Sequence, residues 1–266
     1  MFKFSRVRTI IDKEWAEVFK NRVVLFTIVL LPLLFTLLPL GMLYFFGHNA
    51  TMQGGDSADV PAQFMMTCGN LPMADCVQIF MVNEFMLLYL MMPIIIPITI
   101  AAYGIVGEKT THSLEPLLAT PITTEELLAG KGFSAVIPAV IATWGCFLIF
   151  LLVVPLTGVS KDVLAYIGGP TWLLAIFLLG PLMAVMAVNF AMFISSRTAD
   201  PRVAEQISAV LVMPVMLLLF GQLAGIIILN VQLILIAAVV LVFLDLGMIR
   251  LAARLFRRET ILTGWK

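Results

Sequence analysis

The feature that most constrains this chain is a series of long apolar runs, each set off by a short polar stretch. Val23–Phe46, Phe85–Gly107, Phe133–Thr157 and Trp172–Ile194 contain no charged side chain. A hydrocarbon core about 30 Å thick needs roughly 20 such residues per helix. In that medium a helix satisfies its own backbone polar groups, which an open strand does not. A further uncharged run, Gln206–Leu244, is long enough for two shorter spans broken near Asn230. The sequence therefore predicts an all-α membrane protein with six transmembrane helices, built as one membrane domain over residues 1–266 with no room for a soluble catalytic domain. Composition supports this: 61% of the residues are hydrophobic and only 12% charged, with a mean hydropathy of +1.07. Soluble classes are excluded.

The cations orient the spans. No Lys or Arg occurs from Val23 to Glu108. Lys3, Arg6, Arg8, Lys13, Lys20 and Arg22 precede the first span. Lys109 and Lys131 follow the second, Arg197 and Arg202 follow the fourth, and the rest lie at or after Arg250. Only Lys161 falls in a loop of the opposite side. By the positive-inside rule both termini and the 107–132 loop are expected in the cytoplasm, and the 47–84 loop outside it. A multi-pass protein of the cell (plasma or inner) membrane is the expectation.

The lead, residues 1–22, reads as an amphipathic helix rather than a cleavable leader, because the following run is too long and has no small-residue cleavage site. Phe4, Val7, Ile11, Trp15, Val18 and Phe19 share one face, and Lys3, Arg6, Arg8, Asp12, Lys13, Glu17 and Lys20 occupy the rest. A helix of this kind is expected to lie in the membrane interface. In the outer loop, Cys68 and Cys76 on the oxidising side favour a disulfide, with unpaired thiols or a soft-metal site drawing on nearby Met as the alternatives. Cys146, alone in the third span, reads as a packing residue.

Ionisable groups inside the spans are scarce. Glu84 and Glu108 are expected at the two ends of span two, and Asp245 near the inner end of span six, within helical reach of Arg250 or Ile249. This weakens the case for a proton- or sodium-coupled carrier, which needs buried carboxylates. Catalytic signatures are absent: there is no H-E-x-x-H, no G-x-S-x-G and no Cys/His metal spacing. Gly130-Lys131 suggests a phosphate loop, but Glu125 and Gly132 stand where that motif needs Gly and Ser or Thr. No catalytic residue, metal or cofactor is expected in this chain.

The polar island Gly107–Lys131, GEKTTHSLEPLLATPITTEELLAGK, is the most ordered-looking connector. Ser113 is an N-cap, with Leu114, Glu115 and Pro116 in the first turn. Leu114, Leu117 and Leu118 then share one face. Pro121 ends that helix, and Thr123 with Glu126 forms a capping box for a second one leading into span three. Such an element suits contact with a soluble partner, and suits equally a connector resting on the membrane.

That segment closely resembles the cytoplasmic loop of ABC-2 type exporter permeases, including the sodium-extrusion-like branch. The likeness continues through Ser195-Ser196-Arg197 to Asp200, Arg202–Ser208 and Pro214, and into Arg254–Glu259, and so takes in essentially the whole chain. His112 departs from the small or acidic residue common in relatives. The resemblance implies that Glu108, Ser113, Leu114, Glu115, Pro116, Leu117 and Leu118 form a coupling helix against an ABC ATP-binding subunit. It also implies a second cytosolic loop at Arg197, Asp200 and Arg202, and a connecting helix in the lead. A second copy or a paralogous permease would complete the substrate path, with ATP and Mg on the partner ATPase. Substrate would be moved out of the cytoplasm or inner leaflet by alternating access. In such families the stretch between spans five and six, here Phe220–Asn230, often dips back into the outer leaflet. Two rival readings stand beside this one: an ATP-independent secondary carrier or channel, and a non-transporting membrane anchor of a signalling complex. No nucleic-acid partner is expected.

Overall fold

A computed structural model of the chain describes residues 3–20, 22–48, 61–66, 68–69, 71–110, 122–198 and 200–255. The helices, in order, are α1 (Phe4–Val18), α2 (Arg22–His48), α3 (Ala62–Met65), α4 (Met73–Thr110), α5 (Thr124–Val153), α6 (Lys161–Ile167), α7 (Pro170–Leu174), α8 (Gly180–Arg197), α9 (Pro201–Ser208), α10 (Met213–Leu223) and α11 (Val231–Leu255). Among the described residues, six helical stretches are long and apolar enough to cross a membrane: Val24–Phe45, Met73–Gly104, Glu125–Thr157, Lys161–Arg197, Pro201–Leu223 and Val231–Ala252.

The spans are thus six, as the apolar runs imply, but their limits differ. Helix α4 begins twelve residues before Phe85, so much of the supposed 47–84 loop is helical. Span five begins at Pro201 rather than Gln206, because Asp200 caps α9 by accepting a hydrogen bond from the Arg202 N–H at 2.8 Å and Pro201 tolerates the first turn. Between α10 and α11, residues 224–230 are not helical and contain no re-entrant helix. Asn230 ends the connector by capping α11, its Oδ1 accepting from the Leu233 N–H at 2.8 Å.

Helix α4 is the axis of the bundle, packing against α2, α5, α8, α9 and α10. Its core partner is an aromatic cluster in which Trp172, fully buried, stacks on Phe147 with ring centroids 5.6 Å apart and on Phe150 at 5.8 Å. Tyr89 meets Trp172 edge-on at 5.8 Å. Such offset and edge contacts suit the quadrupoles of the rings.

Two indoles repair backbone defects that the sequence creates. Pro138 lies inside α5 and has no N–H for the carbonyl four residues earlier. That carbonyl, Ser134 O, accepts instead from Trp15 Nε1 at 3.0 Å. A π-turn over Ala175–Leu179 directs the Gly180 N–H to Ala175 O. The Ile176 carbonyl thereby passed over accepts from Trp144 Nε1 at 3.2 Å. Each repair removes the cost of an unpaired carbonyl, about 1–2 kcal/mol.

Candidate functional site at the junction of α1, α4 and α5

The two stems of the 107–132 connector are the end of α4 and the start of α5, and α1 is wedged against both. Thr123 caps α5 through a complete capping box: its Oγ1 accepts from the Glu126 N–H at 3.2 Å, and Glu126 Oε2 accepts from the Thr123 N–H at 2.9 Å. Glu126 also reaches α1, its Oε1 accepting from the Lys3 N–H at 2.7 Å and its Oε2 pairing with Arg6 Nη1 at 3.2 Å. One turn further along α5, Lys131 Nζ pairs with Glu14 Oε1 at 2.8 Å and donates to the Gly104 carbonyl of α4 at 3.1 Å. Both members of this pair are buried, Glu14 at 3% and Lys131 at 7% exposure. A single ammonium therefore ties three helices together around the connector.

Two glycines let α1 sit this close. A Cβ on Gly130 would stand 2.7 Å from Ile10 Cβ, and one on Gly104 would stand 2.8 Å from Glu14 Oε2. A side chain at Gly130 has no room without moving α1, and one at Gly104 would displace the Glu14 carboxylate.

The seam α1 buries consists of Val7, Ile10, Glu14 and Val18, while Phe4 and Phe19 are exposed. The expected apolar face is therefore offset by roughly a quarter turn on the 3.6-residue period. The physical reason is Lys131: its ammonium makes burial of Glu14 favourable, a partnership that hydrophobic periodicity cannot register.

The other predicted residues fall as follows. Glu108 lies in the last turn of α4. Ser113, Leu114, Glu115, Pro116, Leu117 and Leu118 lie outside the described residues. Arg197 ends α8 with its guanidinium 4.4 Å from the Phe193 ring. Arg202 is exposed on α9. Arg197, Asp200 and Arg202 thus stay in local contacts and do not join the Lys131 network. The tie between α9 and α4 is made by Glu205, whose Oε1 accepts from Thr99 Oγ1 at 2.7 Å. Cys68 and Cys76 are joined as a disulfide, with Cα atoms 5.7 Å apart.

Of the carboxyls expected near span ends, Asp245 keeps that place, seven residues before its span ends at Ala252, and Glu84 departs from it. Glu84 is about three turns inside α4 rather than at a span end. Among the described residues both its oxygens are buried without a hydrogen bond, with the Gln222 carboxamide of α10 as their polar neighbour. Asp245 is 5% exposed and, among the described residues, has no hydrogen-bond partner for either oxygen. Among the described residues it forms no ion pair with Arg250, which stands five residues on and points to another side of α11.

Six apolar helical spans, five of them packed around α4 or part of it, with a charged clasp joining α1, α4 and α5, define a multi-pass membrane protein. The profile of the ABC-2 family transporter protein matches residues 8–245. The chain belongs to that family and is an ABC transporter permease, a transport subunit rather than a catalytic one. No curated protein matches it.

Proposed function

We propose that this chain is the membrane half of an ATP-driven exporter, powered by a separate ABC ATP-binding subunit that docks on the 107–132 connector. The observation that carries the reading is the Lys131 clasp. It joins both stems of the connector to α1 through Glu14 and Gly104, so a push on the connector moves three helices as a unit. Ser113–Leu118 supplies the leucine face that the partner grips, with Glu108 at the stem. Both termini and the connector face the cytoplasm, in line with the cation distribution. Two copies, or this chain and a paralogue, pivot to carry substrate out of the cytoplasm or inner leaflet of the cell membrane, with ATP and Mg held by the partner. The sodium-extrusion-like branch is the part of the family it most resembles.

Co-purification with the ABC ATPase from native membranes tests this. Leu114→Asp and Leu117→Asp each abolish assembly; survival of ATPase coupling in both variants removes the docking assignment. A second reading draws on Glu84 and Asp245, the kind of in-membrane carboxyls that ion-coupled carriers use. Solute uptake by the isolated chain in liposomes without ATP would favour it.

A further inference from the structure

A cavity of about 270 Å³ opens between α5, α8 and α11, on the side of α5 away from Glu14. Its walls are apolar, formed chiefly by Leu128, Phe133, Val136, Val188, Met192 and Ile249, and its polar lining side chains are Glu125 and Asn189. Asn189 donates one Nδ2 hydrogen to the Val185 carbonyl at 3.0 Å, and its Oδ1 is an acceptor. Asp245 stands on the face of α11 that lines the cavity, since Ile249 and Ala252 follow it at i+4 and i+7. It lies one turn, about 6 Å, deeper along the helix. Its carboxyl is more than nine-tenths buried and, among the described residues, unpartnered. Of the neighbouring cations, Lys131 is committed to Glu14 and Gly104, and Arg250 stands on another side of α11.

The charged groups at this site are therefore carboxyls, and among the described residues no Lys, Arg or His lines the walls. A lone carboxylate in apolar surroundings is unfavourable unless a cation pairs with it. We propose that this cavity binds a lipophilic cation of the alkylammonium type, its chain lying on the Leu128–Val136 and Val188–Met192 walls and its charge balanced by Asp245, with Glu125 at the rim. The proposal rests on the permease reading and adds the substrate class.

The test uses the full chain in zwitterionic lipid nanodiscs, without ATPase or ATP, and radiolabelled decyltrimethylammonium, with decyl sulfate and decyl glucoside as probes of the same chain length. The cation binds saturably and at least about tenfold more tightly than either of the others, the scale of one desolvated charge pair. Asp245→Asn removes that preference. Glu125→Gln, at an exposed position that folding does not depend on, lowers it. Val188→Trp fills the cavity and abolishes binding of all three. Equal binding of the three amphiphiles would mean a groove for any acyl chain and would overturn the proposal, as would an unchanged cation preference in either Asp245→Asn or Glu125→Gln. Because no ATPase is present, failure to find an ATPase partner leaves this result standing, and failure here leaves an ATPase-coupled permease standing.

Discussion

Lys131 Nζ lies 2.8 Å from Glu14 Oε1, with both side chains almost wholly removed from solvent. A buried pair of this kind is weak evidence for stability by itself, because desolvation offsets much of the attraction; removing one member is what costs. Lys13 stands 4.0 Å from the same oxygen and softens that loss. Lys131→Ala is expected to destabilise the protein by about 2–4 kcal/mol. The double change Lys131→Met with Glu14→Leu should recover most of it. Thermal unfolding in detergent, followed by loss of the monodisperse species, checks both. A double variant as unstable as Lys131→Ala would show that packing, not the uncompensated charge, sets the cost.

The indole repair of α5 predicts a coupling between residues far apart in sequence. Trp15→Phe deprives the Ser134 carbonyl of its donor and should cost about 1–2 kcal/mol. In a Pro138→Ala background the helix supplies its own N–H to that carbonyl, so the same change should cost clearly less. A double-mutant cycle on unfolding free energy reads the difference. Additive effects would break the link between Trp15 and Pro138.

Close approach at Gly130 predicts a local effect. Gly130→Ala places a methyl against Ile10 Cβ and should lift α1 off α5. Amide hydrogen exchange within residues 4–18 should accelerate at least about tenfold, while the core around Trp172 stays protected. Adding Ile10→Gly, which removes the Cβ that the new methyl meets, should restore part of the protection; unchanged exchange in Gly130→Ala would mean α1 is held by its polar contacts alone.

The disulfide predicts a labelling ratio. The chain has three cysteines, of which Cys68 and Cys76 are paired and Cys146 is free. Maleimide under denaturing, non-reducing conditions should add one label to protein from native membranes, and three after reduction. Cys68→Ser should cost about 2–3 kcal/mol through the reopened loop. Three labels before reduction would place these thiols on a reducing side and contradict the orientation drawn from the cations.

Much of the architecture is legible in the sequence because the bilayer demands it. Uncharged runs of sufficient length mark the spans, and Thr123 with Glu126 announces the start of α5 by its capping chemistry alone. Where the reading went astray, the cause lies in pairing across the fold. Nothing local to α1 says that Glu14 should be buried; Lys131, on another helix, decides that. Helix α4 runs back to Met73 with Gln78 and Asn83 buried, Asn83 Oδ1 accepting from Tyr166 Oη at 3.0 Å, so polar residues that read as loop are part of a span. Asp245 sits near its span end as its position implies, but the neighbouring cavity emerges only when α5, α8 and α11 come together.

The most direct measurement concerns the clasp as a transmitter. With the permease and its ABC ATPase reconstituted together in vesicles, Lys131→Met paired with Glu14→Leu keeps α1, α4 and α5 packed but replaces the ionic tie with apolar contact. If the clasp carries motion from the connector into the bundle, the ATPase still co-purifies and hydrolyses ATP, while export per ATP falls at least about tenfold, a coupling loss of about 1.4 kcal/mol. Export per ATP equal to that of the unaltered protein would contradict it.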